Sequence, residues 1–136
     1  MTSTNDLGAR ALSYPRKTVE RAERSLRVSP FLMPLFVAMR SRSVDIQEIA
    51  GIIAQKQQYT QRPLSDLAAE NALNWLIQVG VLRREVDGQG ITNSFRLTPL
   101  GHHIIEQWQN QGHVLPPATW PDRFDNALNR WFRLLF

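Results

Sequence analysis

Residues Leu64 to Gly101 read LSDLAAENALNWLIQVGVLRREVDGQGITNSFRLTPLG, and the order of elements in this stretch decides the fold. The spacing predicts a helix from Leu64 to Gln78. Leu64, Leu67, Ala68, Ala72, Leu73, Leu76 and Ile77 recur at three- and four-residue steps, the pattern of one apolar helix face. Asp66, Glu70, Asn71, Asn74 and Gln78 fall largely on the other side. Gly80 is placed to end this helix, because glycine takes positive φ at little cost. Val81 to Val86 then reads as a strand, Asp87-Gly88-Gln89-Gly90 as a turn and Ile91 to Leu97 as the returning strand. Thr98 followed by Pro99 opens a second helix, a side-chain cap before a residue whose missing N–H would have been unpaired anyway. Leu100, Ile104, Ile105 and Trp108 face inward along it, and it ends near Gly112.

Working outward toward the N-terminus, Asp45 and Glu48 form a D-x-x-E capping box at the start of a helix. Ile46, Ile49, Ala50, Ile53 and Ile52 are its expected inward residues. Val44, just before it, is a short strand able to pair with the hairpin. Gln55 to Pro63 reads as a polar connection, longer than the turn of a compact helix-turn-helix. Ser29-Pro30 is expected to start a further helix with Phe31, Leu32, Leu35, Phe36 and Met39 on its core face. Tyr14 to Leu26 reads as a helix with a narrow line of Val19, Ala22 and Leu26, surrounded by charges that pair at helical spacing, as Glu20 with Arg24. The fold class is therefore mainly α with a small β-hairpin, an α+β domain.

Three blocks carry a family resemblance: Ala72-Leu73-Asn74-Trp75-Leu76, Gly80-Val81-Leu82-Arg83-Arg84-Glu85 and Arg96-Leu97-Thr98-Pro99-Leu100-Gly101. Together they resemble the winged helix-turn-helix family, in particular transcription-regulator domains with "LTPLG" between the wing and the next helix. The resemblance runs from Ser29 to Gln111, a little over half of the chain, and implies a winged helix-turn-helix with extra N- and C-terminal helices. Residues 21 to 40, RAERSLRVSPFLMPLFVAMR, are in addition similar to the opening of an uncharacterised cyanobacterial winged-helix-like family, which brings no activity with it. The expected organisation is a disordered tail over 1–13, a winged-helix domain with its N-terminal helix over 14–113, and a proline-containing linker with an amphipathic helix over 114–136.

What the resemblance implies for function is a regulator that binds double-stranded DNA. The helix 64–78 would enter the major groove, with Asn71, Asn74 and Gln78 as base readers suited to adenine. Arg83, Arg84 and Arg96 on the wing would contact phosphates. The charge pattern opposes this, since no Arg or Lys lies between Pro63 and Leu82, and Asp66 and Glu70 would approach the phosphates that supply most of the affinity. Winged helices also serve as protein-interaction modules, so fold alone does not assign function. The alternative is a module that docks a protein through the acidic helix 64–79 and the hydrophobic C-terminal helix.

That terminal segment is the second informative feature. Trp120, Phe124, Leu128, Trp131, Phe132 and Leu135 form a stripe at helical spacing opposite Arg123, Asn126, Arg130 and Arg133. The stripe fits a helix folded on the domain's own core, a homodimer seam, or a surface for another partner; a membrane-surface role is not expected. The net charge is +4, with fourteen arginines against two lysines, and it is unevenly placed. Residues 1 to 42 carry eight positive and three negative side chains, or +5, and the rest carry eight against nine, or −1.

Absent residues exclude several chemistries. Without cysteine there are no disulfides, thiolate metal sites or thiol catalysis. The chain has no membrane-length apolar run and no signal-peptide pattern, so a cytoplasmic protein is expected. It also lacks a nucleophile elbow, a phosphate-cradling glycine loop and a zinc-binding helix signature, so no enzyme activity is expected. His102 and His103 are adjacent and cannot share a metal as an i,i+4 pair would, so neither a metal nor a cofactor is expected. Trp75, Trp108 and Trp120 could line an effector pocket, but aromatic residues at this spacing usually form core.

Overall fold

The structure, a computed structural model, describes residues 14–112. The expected tail over 1–13, His113 and the segment 114–136 lie outside the described residues. Within them the order is α1 (Arg16–Val28), α2 (Met33–Ser41), β1 (Val44–Asp45), α3 (Ile46–Ile49), α4 (Gly51–Lys56), α5 (Asp66–Gln78), β2 (Leu82–Asp87), β3 (Gly90–Leu97) and α6 (Pro99–Asn110). The strands form one antiparallel sheet in the order β1-β3-β2, with Val44 opposite Phe95 and Leu82 opposite Leu97. The chain is a mostly helical α+β fold. Phe31, Leu35, Phe36 and Met39 meet Ile49, Leu73, Leu76, Phe95, Ile104 and Ile105 in a single core.

Several local readings hold at the level of individual bonds. The Asp45 side chain accepts from the Gln47 amide, and the Glu48 carboxylate accepts from the Asp45 amide in a complete capping box. Gly80 ends α5 at φ +87°. Leu100, Ile104, Ile105 and Trp108 are all buried along α6. The hairpin turns through Gly88 and Gln89, with the Gln89 amide donating to the Asp87 carboxylate. Three residues of β3, Thr92 to Ser94, then face Glu85 alone on β2, a bulge closed by the Thr92 hydroxyl on the Glu85 carbonyl.

Four expectations are corrected. Ser29 does not cap α2; its hydroxyl donates to the Leu26 carbonyl and so closes α1. α2 starts later because Phe31 bridges Thr60 and the Leu32 amide donates to the Tyr59 carbonyl, which holds Phe31 and Leu32 extended. The stretch Gln55 to Pro63 is accordingly no plain polar connection: its first two residues end α4, and Tyr59 and Thr60 are buried. The helix after the capping box breaks at Ala50 and Gly51, where φ reaches +80°. The break resets the phase, so that Ala54 faces inward while Ile52 and Ile53 are exposed. Finally, α5 is capped by Ser65, whose hydroxyl accepts from the Ala68 amide, and Leu64 is buried ahead of the helix. Its inward line is Ala69, Leu73 and Leu76 with Trp75, and Leu67 and Ala68 face solvent.

One junction joins α5, both long strands and α6. The Thr98 hydroxyl donates to the carbonyls of Gly80 and Val81, and the Thr98 amide donates to the Val81 carbonyl at 3.0 Å. The same hydroxyl accepts from the Gly101 amide and so caps α6. Gly101 lies against this carbonyl so closely that a Cβ there would sit 2.3 Å from the Val81 oxygen. Gly101→Ala is therefore expected to lower stability by about 1–3 kcal/mol, as overpacking does, despite the better helix propensity of alanine. Gly88→Ala, where a Cβ meets no atom within 4 Å, is the control and should change the thermal midpoint little. Equal melting curves for the two variants would refute the close-approach account.

Candidate functional site

The face expected to do the work is built from α5 and the β2–β3 hairpin, and the structure engages most of its expected residues internally. Arg84 reaches from β2 across to α5. Its guanidinium donates to Asn74 Oδ1 at 3.0 Å and to Glu70 Oε1 at 3.4 Å. It also donates to Asn93 Oδ1 at 3.2 Å and to the Thr92 carbonyl at 3.4 Å. The guanidinium carbon lies 4.7 Å from the centre of the Phe95 ring, within cation–π range. Its side chain is only 21% exposed, so Arg84 acts as a strap between helix and hairpin.

Arg83 and Arg96 stand opposite each other across the strand pair, where two like charges would repel. Glu85 lies between them, 3.4 Å from Arg83 and 3.2 Å from Arg96. Of the six residues expected to contact DNA, Asn74 and Arg84 hold each other and Arg83 and Arg96 share one carboxylate. Asn71 and Gln78 remain exposed on α5. From Leu64 to Leu97 the side chains sum to three arginines against Asp66, Glu70, Glu85 and Asp87, or −1.

Sequence reasoning missed the apolar part of this face. Ile52 and Ile53 on α4 and Leu67 on the first turn of α5 are 60%, 63% and 68% exposed. The Gly51 amide donates to the Leu64 carbonyl at 2.8 Å, so the starts of the two helices that carry them meet at one corner. Val86 and Ile91, paired near the end of the hairpin, are also exposed. The signal that could have found the corner was Gly51 inside the apolar run 49–53, since a glycine there can break the helix and turn its later residues outward. The C-terminal candidates Trp120, Phe124, Leu128, Trp131, Phe132 and Leu135 lie outside the described residues. Trp75 and Trp108 are buried.

Among the described residues three titratable groups are shifted, Arg42 upward and Glu48 and His102 downward. The Arg42 guanidinium hydrogen-bonded to Glu48 holds that carboxyl below its usual range, against the opposing cost of burial. His102 on α6 is pushed down from its ordinary value, first by burial and then by the positive charges of Arg40 and Arg96. A lowered folded-state value means that the folded protein binds the proton later than the unfolded chain does. Stability associated with His102 is thus fully present above the ordinary value of about 6.5 and is lost as pH falls below it toward the folded value.

These contacts separate the arginines by their effects. Arg84→Ala is expected to cost about 1–2 kcal/mol, through the lost bonds to Asn74 and Asn93 and the ring contact. Arg83→Ala, at an exposed pair, should stay within about 0.5 kcal/mol. Urea denaturation of both variants checks this, and similar losses would refute the strap. For His102, His102→Gln should flatten the fall in thermal midpoint between about pH 7 and pH 5 relative to the parent chain. A slope unchanged by the substitution would place the acid sensitivity elsewhere.

Searches among curated proteins and among solved structures find no match to this chain. Residues 12–130 match the family model described as Npun_F0494-like, which covers most of the sequence and every described element. The match also agrees with the resemblance of residues 21 to 40 to an uncharacterised family. The chain belongs to the Npun_F0494-like family.

Proposed function

We propose that the chain is a winged-helix module that docks a protein partner, one presenting an apolar ridge flanked by basic side chains. The order α2, β1, α3–α4, α5, β2, β3 supports the winged-helix reading, with α5 in the place of the reading helix and β2–β3 as the wing. The observation that carries the docking reading is the exposed corner of Ile52, Ile53 and Leu67 beside a face of net negative charge whose wing arginines are already engaged. Scattered exposed apolar residues need no explanation, but a group at one corner marks an interaction surface. Asp66 and Glu70 beside Leu67 select a basic flank on the partner.

A second reading is a transcriptional regulator bound to double-stranded DNA, dimeric through the C-terminal segment. Asn71 and Gln78 would then read bases. The basic α1 favours this reading, with Arg16, Lys17, Arg21, Arg24 and Arg27 against Glu20 and Glu23, or +3. A reader must neutralise several phosphates, however, and each one contributes a log–log salt slope of about −0.9.

Two measurements test the pair. Anisotropy of a labelled mixed-sequence duplex should show binding by the full chain that disappears well before physiological salt. Cross-linking to a partner in cell extract should be abolished by Leu67→Glu combined with Ile53→Glu, with unchanged circular dichroism. Duplex binding that persists at physiological salt and weakens in Arg83→Ala would instead establish the regulator. A partner captured equally by the double variant would refute the corner.

A further inference from the structure

A groove of about 450 Å³ runs between the end of α1, the segment 61–64 and the first half of α5. Its lining is about as polar as apolar, with Ser29, Gln61, Arg62 and Asn71 beside Val28, Pro30, Leu64, Ala68 and Ala72, and among the described residues Arg62 is its one charged side chain. A smaller recess of about 30 Å³ shares Val28, Pro30 and Ala72 with the groove and continues to Trp75. Asn71 adds an amide at the mouth. We propose that this groove binds a small amphipathic organic anion, with an alkyl or aromatic body against Val28, Pro30, Ala68 and Ala72 and a carboxylate or sulfonate on Arg62 and Asn71.

The groove is held open by bonds that need no ligand. The Leu32 amide donates to the Tyr59 carbonyl at 2.9 Å, Phe31 bridges Thr60, and the Gln61 amide donates to the Pro30 carbonyl. These bonds lock the segment carrying Arg62 to the segment carrying Val28 and Pro30. Glu70, the residue before Asn71 on α5, is held by Arg84 of β2. Among the described residues that line it, the groove therefore offers a cation without a competing carboxylate, which is the electrostatic complement of an anion and not of an amine. Its size lies in the range of small-molecule sites, and polar groups set beside apolar side chains are what such sites use to fix orientation. Arginine suits the headgroup because its planar fork matches a carboxylate.

The proposal goes beyond partner docking, though the two surfaces adjoin. Asn71 lines the groove and follows Leu67 by one helical turn, so a bound anion would lie beside the docking corner.

The test uses the full chain and three probes: anilinonaphthalene sulfonate, whose emission rises in an apolar site, then decanoate and decanamide as competitors. The sulfonate should bind saturably, and decanoate should displace it at least about tenfold better than decanamide, as a charged hydrogen bond requires. Arg62→Gln should weaken decanoate by about tenfold and leave decanamide unchanged. Ala68→Leu, which fills the groove from an exposed position, should abolish binding of both without lowering the thermal midpoint. Absence of saturable binding would overturn the proposal. Equal competition by the amide, or affinity unchanged in both variants, would overturn it as well, the first by removing the role of charge and the second by placing the probe elsewhere.

Discussion

The junction at Thr98 governs the arrangement of everything after α5. The last carbonyls of α5 are met by the amides that follow them, Val79 on Trp75, Gly80 on Ile77 and Val81 on Leu76, and the chain that turns at once into a strand then leaves the carbonyls of Gly80 and Val81 to be paired. Thr98 answers this from the far end of the hairpin, with its hydroxyl on the carbonyls of Gly80 and Val81 and its amide on Val81. Because the same hydroxyl caps α6, the end of one helix and the start of the next are fixed through a single side chain. Gly101 lets the two backbones approach to a distance that no Cβ could share. The "LTPLG" pattern is thus a packing device, and it says nothing by itself of what the domain binds.

Once that junction sets the direction of β2, Arg84 falls beneath Glu70 and Asn74, and the chemistry of the face follows. A guanidinium in bulk water is a free cation for any phosphate. One that already donates to three side chains and a carbonyl while lying on Phe95 has little left to give, and removing it from those partners would cost what they supply. Glu85 similarly answers the repulsion between Arg83 and Arg96, which the register places opposite each other. The arginines of the hairpin are explained by the fold that needs them, and this weakens their use as signs of nucleic-acid binding.

The helix and strand order was legible in the sequence wherever a local bond enforces it. The Asp45–Glu48 box, the Gly80 stop, the hairpin and the Thr98 cap all follow from residue types that have few other uses at such positions. The failures share one cause, which is contact between segments distant in sequence. Ser29 was read as the cap of α2, but the pairing of Phe31 with Thr60 extends the backbone there and leaves Ser29 to close α1. The inward line of α5 was misread at Leu67 and Ala68 because Leu64 belongs to the core without belonging to the helix. For the candidate site, charge could be counted from the sequence, but the pairing of Arg84 with Asn74 and Glu70 depends on a crossing that spacing does not show.

The position of the exposed apolar side chains bears on what kind of surface this is. Among the described residues, the large exposed ones are Ile52, Ile53, Leu67, Val86 and Ile91, and none belongs to α1, α2 or α6. Each could be polar without cost to the core, since none of them packs into it. A surface meant for a phosphate backbone gains from replacing them with Lys or Arg, because affinity there comes from neutralised charge. A surface meant for a protein gains from keeping them, since apolar area removed from water contributes about 25 cal/mol per Å². Five such residues on α4, on the first turn of α5 and on the hairpin, with Asp66 and Glu70 on α5, are the arrangement that the proposed docking of a protein calls for.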